Sequence, residues 1–471
     1  MKLHNTMTGT VEQLQTLNPG VVKLYTCGLT VYSQPHIGNW LGYIYWDVLV
    51  RALKAEGYTV ERTQNITDVG HLTSDDDNGE DKMEKGARSE GITAWDIAKK
   101  YTEIANHEGY ELLGLLRPTH LVAATSLIDK QIEFARELEQ KGYLYEIPGD
   151  GMYFDTAKLS DYGKLAKLDI GGLKAGVRVA VDGKKHITDF AVWKFSPIDA
   201  QRDMEWDSPW GKGFPGWHLE CSVIAQQTLG DQLDIHTGGI DHIPVHHTNE
   251  IAQTEGITGK PFASIWLHNN HIKINGTKIS KSLGNIVTLQ DIIDRDVPLD
   301  AFKLLALSKH YRTEGNFDWD ILEASHNRLK NWLRVAALRH QIPGSIMEKS
   351  AKQAELAAAP EVLKQALLDD LKTPEAVASI DAVFSNLEAT PLQSINAQSF
   401  VDFLESINTL LGIDLLTPVP NIDETIKQLL VLRIRAREEK NWQESDRIRD
   451  ELAAKGISLN DGQNGTTWYY S

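Results

Sequence analysis

The chain has 471 residues, 41% hydrophobic and 24% charged, a globular composition long enough for two to four domains. Asp and Glu number 65 against 48 Lys and Arg, a formal charge of −17, which excludes a net-basic nucleic-acid coat but leaves room for a local basic groove. No run approaches the roughly 18 apolar residues of a membrane helix, and MKLHNTMTGTVEQ lacks the apolar stretch of a secretory signal, so the expected compartment is the cytoplasm.

VVKLYTCGLTVY (21–32), rich in β-branched and aromatic residues, predicts a strand ending at the cluster SQPHIGN. The spacing of Trp40, Ile44, Val48, Leu49 and Leu53 predicts a helix over 39–58, stopped by Gly57, and TVERTQNIT (59–67) predicts the next strand. Strand, helix, strand in this length is a βαβ unit, so the expected class is α/β with a Rossmann-like parallel sheet. The acidic stretch 68–81 reads as a surface loop, followed by helices at about 91–115 and 125–142. An insertion is expected at about 115–215, β-rich from 145 on because of its glycines and short alternating runs such as GMYFD and DFAVWKF. GWHLECSVIAQQTLG and QLDIHTGG restore helix and strand, and ISKSLGNIVTLQDIIDR begins as a loop and becomes a helix. The stretch 318–412 reads as helical throughout, and the Pro-marked linker 415–423 leads to one long helix over 424–455 and a short end, ISLNDGQNGTTWYYS. Three regions are therefore expected: a catalytic α/β head at 1–315, a helical bundle at 316–412 and a small C-terminal domain at 413–471.

Two strings carry phosphate chemistry. Pro35-His36-Ile37-Gly38-Asn39 sits between a strand and a helix, where unpaired backbone N–H groups and the dipole favour an anion and a glycine lets it approach. Lys278-Ile279-Ser280-Lys281-Ser282 puts two cations and two hydroxyls into a Gly-flanked loop, a plausible clamp for a polyphosphate. Each alone also fits a bland reading, a generic turn and a solvated basic loop. Their occurrence together, in order and roughly 240 residues apart on an α/β chain, favours the functional one. Only two cysteines are present, Cys27 and Cys221, and composition leaves open whether they are buried hydrophobes or used sulfurs. His246 and Glu250, four apart in a segment of helical character, project from one helix face and form a geometry that supplies two ligands to one metal. The two cysteines could complete a tetrahedral set, but spacing alone does not decide between that and a polar helix beside two buried thiols.

His-Ile-Gly-Asn and Lys-Ile-Ser-Lys-Ser resemble the two signatures of class I aminoacyl-tRNA synthetases, His-Ile-Gly-His and Lys-Met-Ser-Lys-Ser. TCGLTVY, GWHLECS (216–222), DIHTGGID (234–241), HHTNEIAQ (246–253) and DGQNGTTW narrow the resemblance to the cysteinyl-tRNA synthetase family, over essentially the whole chain. The resemblance implies a zinc ion (Zn2+) on Cys27, Cys221, His246 and Glu250. It places Gly28, Thr67, Trp217 and His236 at the amino acid, although a Trp in PGWHLE is otherwise most often core. Cysteine and serine are near-isosteres that an apolar pocket separates by only about 1–3 kcal/mol. A soft metal that takes a thiolate removes the need for an editing domain. His242 stands where many relatives have an apolar residue.

The implied reaction is attack of the L-cysteine carboxylate on the α-phosphate of ATP, then transfer from the adenylate to the 3′ ribose of tRNA(Cys). His36, Gly38 and Asn39 would hold ATP, Mg2+ would accompany it, and Lys278 and Lys281 would stabilise the departing pyrophosphate. Asn39 replaces the second signature His and never carries charge, whereas Ile279 for Met conserves volume. For RNA, Arg433, Arg435, Arg437, Lys440, Arg447 and Arg449 concentrate positive charge over 424–455, against a reading in which they pair with Glu438, Glu439, Glu444 and Asp446. Trp468 stacks on an unpaired base or packs as a terminal aromatic. The expected assembly is a monomer, with no membrane partner. Two alternatives differ in class: a cysteine ligase acting on an amino sugar (mycothiol-type), which would not need the long C-terminal region, and a zinc- and tRNA-binding protein that has lost catalysis, against which Lys278, Lys281 and Thr67 speak.

Overall fold

A computed structural model describes residues 1–70, 81–168, 183–197, 202–280, 283–343, 351–462 and 465–471. By internal contacts the chain divides into two compact units. The first comprises Met1–Trp46, Glu56–Asp291 and Tyr311–Asn316, and the second Asp47–Ala55, Ile292–His310 and Phe317–Ser471.

In the first unit a hairpin of β1 (Lys2–Asn5) and β2 (Thr10–Gln13) precedes β3 (Val21–Thr26), α1 (Ile37–Ala55) and β4 (Thr59–Ile66). The expected strand over 21–32 stops at Thr26 because Gly28 brings its backbone against β4: a Cβ there would stand 1.6 Å from the Asn65 carbonyl oxygen. Next come α2 (Lys82–Glu90), capped by the Asp81 carboxylate, and α3 (Ala94–Asn106), which runs into a π-helical turn at His107–Leu112. The expected helix over 91–115 is thus present over 94–112, while α2 before it, ended by the left-handed Gly91 (φ 70°), was not foreseen. β5 (His120–Ala123) and α4 (Ile128–Gln140) follow. The β-rich insertion is present as a four-stranded antiparallel sheet of β6 (Leu144–Ile147), β7 (Gly151–Phe154), β8 (Phe190–Phe195) and β9 (Gly213–Pro215).

The chain then returns through α5 (Trp217–Leu229), β10 (Leu233–Gly239), α6 (His246–Thr258) and β11 (Ala263–Asn269). The main sheet has the order β11-β10-β3-β4-β5 and is parallel throughout. Strand order reverses between β3 and β10, the switch point at whose carboxyl edge doubly wound sheets bind ligands. Both α5 and α6 are buried nearly all round, so their polar side chains need internal partners. A hairpin of β12 (Ile272–Ile274) and β13 (Thr277–Lys278) leads to the short α7 (Leu289–Ile293).

The second unit gathers α8 (Leu299–Leu307), α9 (Trp319–Ala336) after β14 (Gly315–Phe317), α10 (Ala351–Leu368), α11 (Thr373–Glu388) and α12 (Ala397–Leu411). Where one helix is expected over 424–455 there are two, α13 (Glu424–Glu438) and α14 (Trp442–Ala454). Lys440 turns left-handed (φ 58°) and the Asn441 side chain accepts from the Glu444 N–H, a cap that starts a new helix. β15 (Ile457–Gly462) and β16 (Gly465–Tyr470) close the chain as an antiparallel hairpin. The expected division near 412 is bridged inside this unit: Arg339 donates to the Leu416 carbonyl at 2.8 Å, and Gln341 holds both backbone groups of Trp468. Trp468 is 5% exposed and stacks on His340 with rings 8° from parallel, so it is a packed aromatic and is not presented to a base.

Arg433 is likewise internal, 2% exposed, with both terminal nitrogens on Asp461 at 3.0 and 2.7 Å. The Arg433 hydrogen bonds hold the Asp461 carboxyl down to about 2. Because the folded value lies below the unfolded one, the pair's contribution is complete above about pH 4 and is lost as pH falls toward 2. Asp461→Asn is expected to lower stability by about 2 kcal/mol at pH 7, less than a fully buried pair because the carboxylate is partly solvated. The difference from wild type in urea midpoints should shrink as pH falls below about 4.

Candidate active site

The carboxyl end of β3 leads into Cys27, the middle of β10 carries His236, and the two buried helices carry Cys221 and the pair His246 and His247 with Glu250. Single donor atoms of Cys27, His236, His247 and Glu250 all lie within 4.8 Å of one another. Cys27 Sγ is 3.3 Å from His247 Nε2, and His236 Nε2 is 2.8 Å from Glu250 Oε2. The Cys221 and Cys27 thiols are near enough to shift each other's titration. Of the four expected ligands this group of donors holds Cys27 and Glu250, while Cys221, buried on α5, stands outside it. The structure turns His246 toward His218, with its ring 4.4 Å from Trp217, and sets His247 beside the Cys27 thiol. His242 stands 5.1 Å, ring to ring, from both.

The electrostatics fit a cation. Burial pushes the Glu250 carboxyl up to about 7, and the nearby Cys27 thiol, followed by burial, pushes Cys221 well above its ordinary value. The Cys27 thiol is held well below its ordinary value by the nearby Cys221 thiol and then by His242. Burial opposes a charge on His242, yet its bond to Cys27 prevails and raises it to about 9. Glu250 Oε1, His236 Nδ1 and His242 Nδ1 are buried without a hydrogen-bond partner. Donor atoms around a tetrahedral ion at 2.0–2.3 Å stand about 3.3–3.8 Å apart, the range of the Cys27–His247 spacing. Thiolate, imidazole and carboxylate around orphaned buried atoms form a donor set suited to zinc.

The phosphate strings also meet. His36 and Asn39 make a reciprocal cap at the start of α1: the Asn39 side chain accepts from the His36 N–H at 3.0 Å, and His36 Nδ1 accepts from the Asn39 N–H at 3.3 Å. Asn39 thus fixes the signature turn through its carbonyl oxygen, a task that needs no charge. A Cβ on Gly38 would come within 2.7 Å of Ile279, and the Ile37 N–H donates to the Val287 carbonyl, so the two strings touch. Asn285, to which sequence reasoning gave no role, clips the second string by accepting from the Ser280 N–H and donating to the Lys278 carbonyl. Lys278 is exposed. Lys281 lies outside the described residues.

Comparison with known proteins settles the family. Residues 13–327 match the model for the class I (C) tRNA synthetase catalytic domain, and 419–468 match the cysteinyl-tRNA ligase anticodon-binding domain. The chain is 44% identical to cysteine–tRNA ligase 1 of Burkholderia lata, covering 99% of this chain and 96% of that one. The chain belongs to the cysteine–tRNA ligase family. A second relative, from Treponema denticola, is 38% identical with 99% of each chain covered. Among solved structures, Mycobacterium tuberculosis methionyl-tRNA synthetase in complex with methionyl-adenylate shares the fold, with a TM-score of 0.57 at 14% identity over 85% of this chain and 91% of that one. The enzyme is thus a class I synthetase. Among its described residues no helix is long and apolar enough to cross a membrane.

Within this family frame, Thr67 lies at the end of β4, buried, with its hydroxyl on the Glu220 carboxylate. Trp217 opens α5 half-buried against His246, which sets it apart from the core tryptophans. Gly28 follows Cys27 directly, where the backbone is closest to β4. The residues that sequence reasoning passed over are those that hold others: Asn65, Glu220 and Tyr43, whose hydroxyl donates to the Cys27 carbonyl at 3.0 Å.

Proposed function

We propose that the enzyme activates L-cysteine with ATP and transfers it to tRNA(Cys), choosing cysteine by its sulfur at a zinc centre on Cys27, Cys221, Glu250 and His246, the last being the histidine that the family resemblance implies although His247 stands nearer Cys27. The observation that carries this reading is the convergence of a thiol, two imidazoles and a buried carboxylate at the β3/β10 switch point of a chain whose two signature strings touch. Zinc bound there would supply a borderline-soft acid that takes a thiolate far more readily than a hydroxyl. The chain's own groups do the rest. Gly28, Thr67, Trp217 and His236 frame the amino acid and aim its carboxylate. His36 and the first N–H groups of α1 take the ATP phosphates, and Gly38 lets them approach. Mg2+ would accompany ATP, and Lys278 and Lys281 stabilise charge gathering on the pyrophosphate.

For tRNA, α13 and α14 present Arg435, Lys440 and a 57% exposed Trp442. Arg433 and Arg437 instead bond Asp461, Arg447 bonds Glu444 and Glu451, and Arg449 bonds Asp446. The RNA face is assigned to the first three.

Incubation with ATP, radiolabelled cysteine and a tRNA(Cys) transcript is expected to give acid-precipitable product, and none on an amino sugar. Transfer to the sugar alone would replace this reading with the amino-sugar ligase. The His pair gives a second test. His246→Ala is expected to abolish zinc binding, whereas His247→Ala, whose other ring nitrogen is oriented by His268 at 2.8 Å, should weaken it about 10–100-fold. The reverse order, read by chelator competition, would give the ligand's role to His247.

A further inference from the structure

Asn65 uses both ends of its amide between three segments of the site. Its Oδ1 accepts from the Gly28 N–H at 2.7 Å, and its Nδ2 donates to Thr67 Oγ1 at 3.0 Å and Glu220 Oε1 at 3.3 Å. Thr67 in turn donates to the same carboxylate oxygen. Asn65 is 2% exposed and Glu220 fully buried, so each of these bonds forms away from water, where a missing partner is costly. The residues so joined flank the two sulfurs: Gly28 follows Cys27, and Glu220 precedes Cys221. The backbone approach at Gly28, which no side chain could tolerate, is the contact that the Gly28–Asn65 bond closes.

We infer that Asn65 is a positioning residue for the amino acid: with Glu220 it locks the spacing of the Cys27 and Cys221 segments and fixes the orientation of the Thr67 hydroxyl. The inference rests on the proposed function, since Thr67 and the sulfurs act on cysteine there. Its consequence is specific to one substrate. Misplacement of positioning groups by about 1 Å costs on the order of 100-fold in rate, and ATP, held by the two signature strings, does not meet this network.

Asn65→Asp keeps the shape but sets a carboxylate oxygen where Nδ2 donates. It is expected to raise the KM for cysteine in ATP–pyrophosphate exchange at least tenfold and to lower kcat/KM about 100-fold, with the KM for ATP unchanged within twofold. In Asn65→Asp/Glu220→Gln the amide and the acid trade places, and every bond again has a donor and an acceptor, so this pair should recover most of the loss. A folded Asn65→Asp with wild-type KM for cysteine overturns the inference. So does an equal rise in both KM values, a folded pair without recovery, or failure of both variants to fold, which would leave Asn65 a purely structural role. Absence of cysteine-dependent exchange in the unmodified enzyme would instead defeat the proposed function.

Discussion

Cys221→Ser is expected to lose its zinc and, with it, most of the choice between cysteine and serine. The substitution keeps size and removes softness. Cys221 is 2% exposed on a buried helix, so a serine oxygen would occupy the same place without becoming an anion or matching a soft ion. What remains is a pocket reading shape and one polar atom, which separates such isosteres by about 1–3 kcal/mol, or 10–200-fold. The ratio of cysteine- to serine-dependent exchange should therefore fall to that range or below, and Cys27→Ser should follow it. Elemental analysis checks the cause independently: full metal content in Cys221→Ser removes Cys221 from the ligand set.

The parallel sheet is legible in the sequence because its strands are short β-branched runs set between amphipathic helices, and β3, α1 and β4 stand close to where the pattern puts them. The phosphate strings are legible for a different reason: each is contiguous, so chemistry and spacing lie in one line of text. The candidate metal centre is not, since Cys27, His236, His247 and Glu250 come from the end of β3, from β10 and from α6, and only the topology of the sheet brings them together. Spacing also leaves His246 and His247 equivalent, one residue apart on the first turn of α6. The break at 439–441 carried a readable signal, Asn441 three residues before Glu444, the pattern of a helix start, outweighed by the charge periodicity on either side. For Arg433 and Trp468 the sequence left a paired or packed role open beside an RNA-facing one, because a long cation or an aromatic near a terminus looks exposed until a hairpin folds over it, as β15 and β16 do here. Asn65 left no trace beyond its place in Asn-Ile-Thr, because a positioning residue has the composition of any buried amide.

Lys281→Ala is expected to lower the rate of adenylate formation about 10²–10³-fold, or roughly 3–4 kcal/mol, the usual cost of one charge-stabilising donor at a transition state. The argument starts from what ATP activation requires. Negative charge passes onto the pyrophosphate as the bond to the α-phosphate lengthens, and a cation there lowers the barrier only to the extent that it gains contact in that state. A lysine on a Gly-flanked loop is suited to this, being a compact charge on a flexible stem. The loop's start already lies against the start of α1, to which the proposal gives the phosphates, through Ile279 at Gly38, and Asn285 holds it by Ser280 and Lys278. Lys278→Ala should act in the same direction. Both variants should keep their zinc and a wild-type KM for cysteine, since neither residue belongs to the β3/β10 edge. Pre-steady-state measurement of adenylate formation separates the outcomes: a loss carried by the KM for ATP with the chemical rate intact would make these lysines ground-state clamps, and a rate unchanged in both would deny the second string any part in the chemistry.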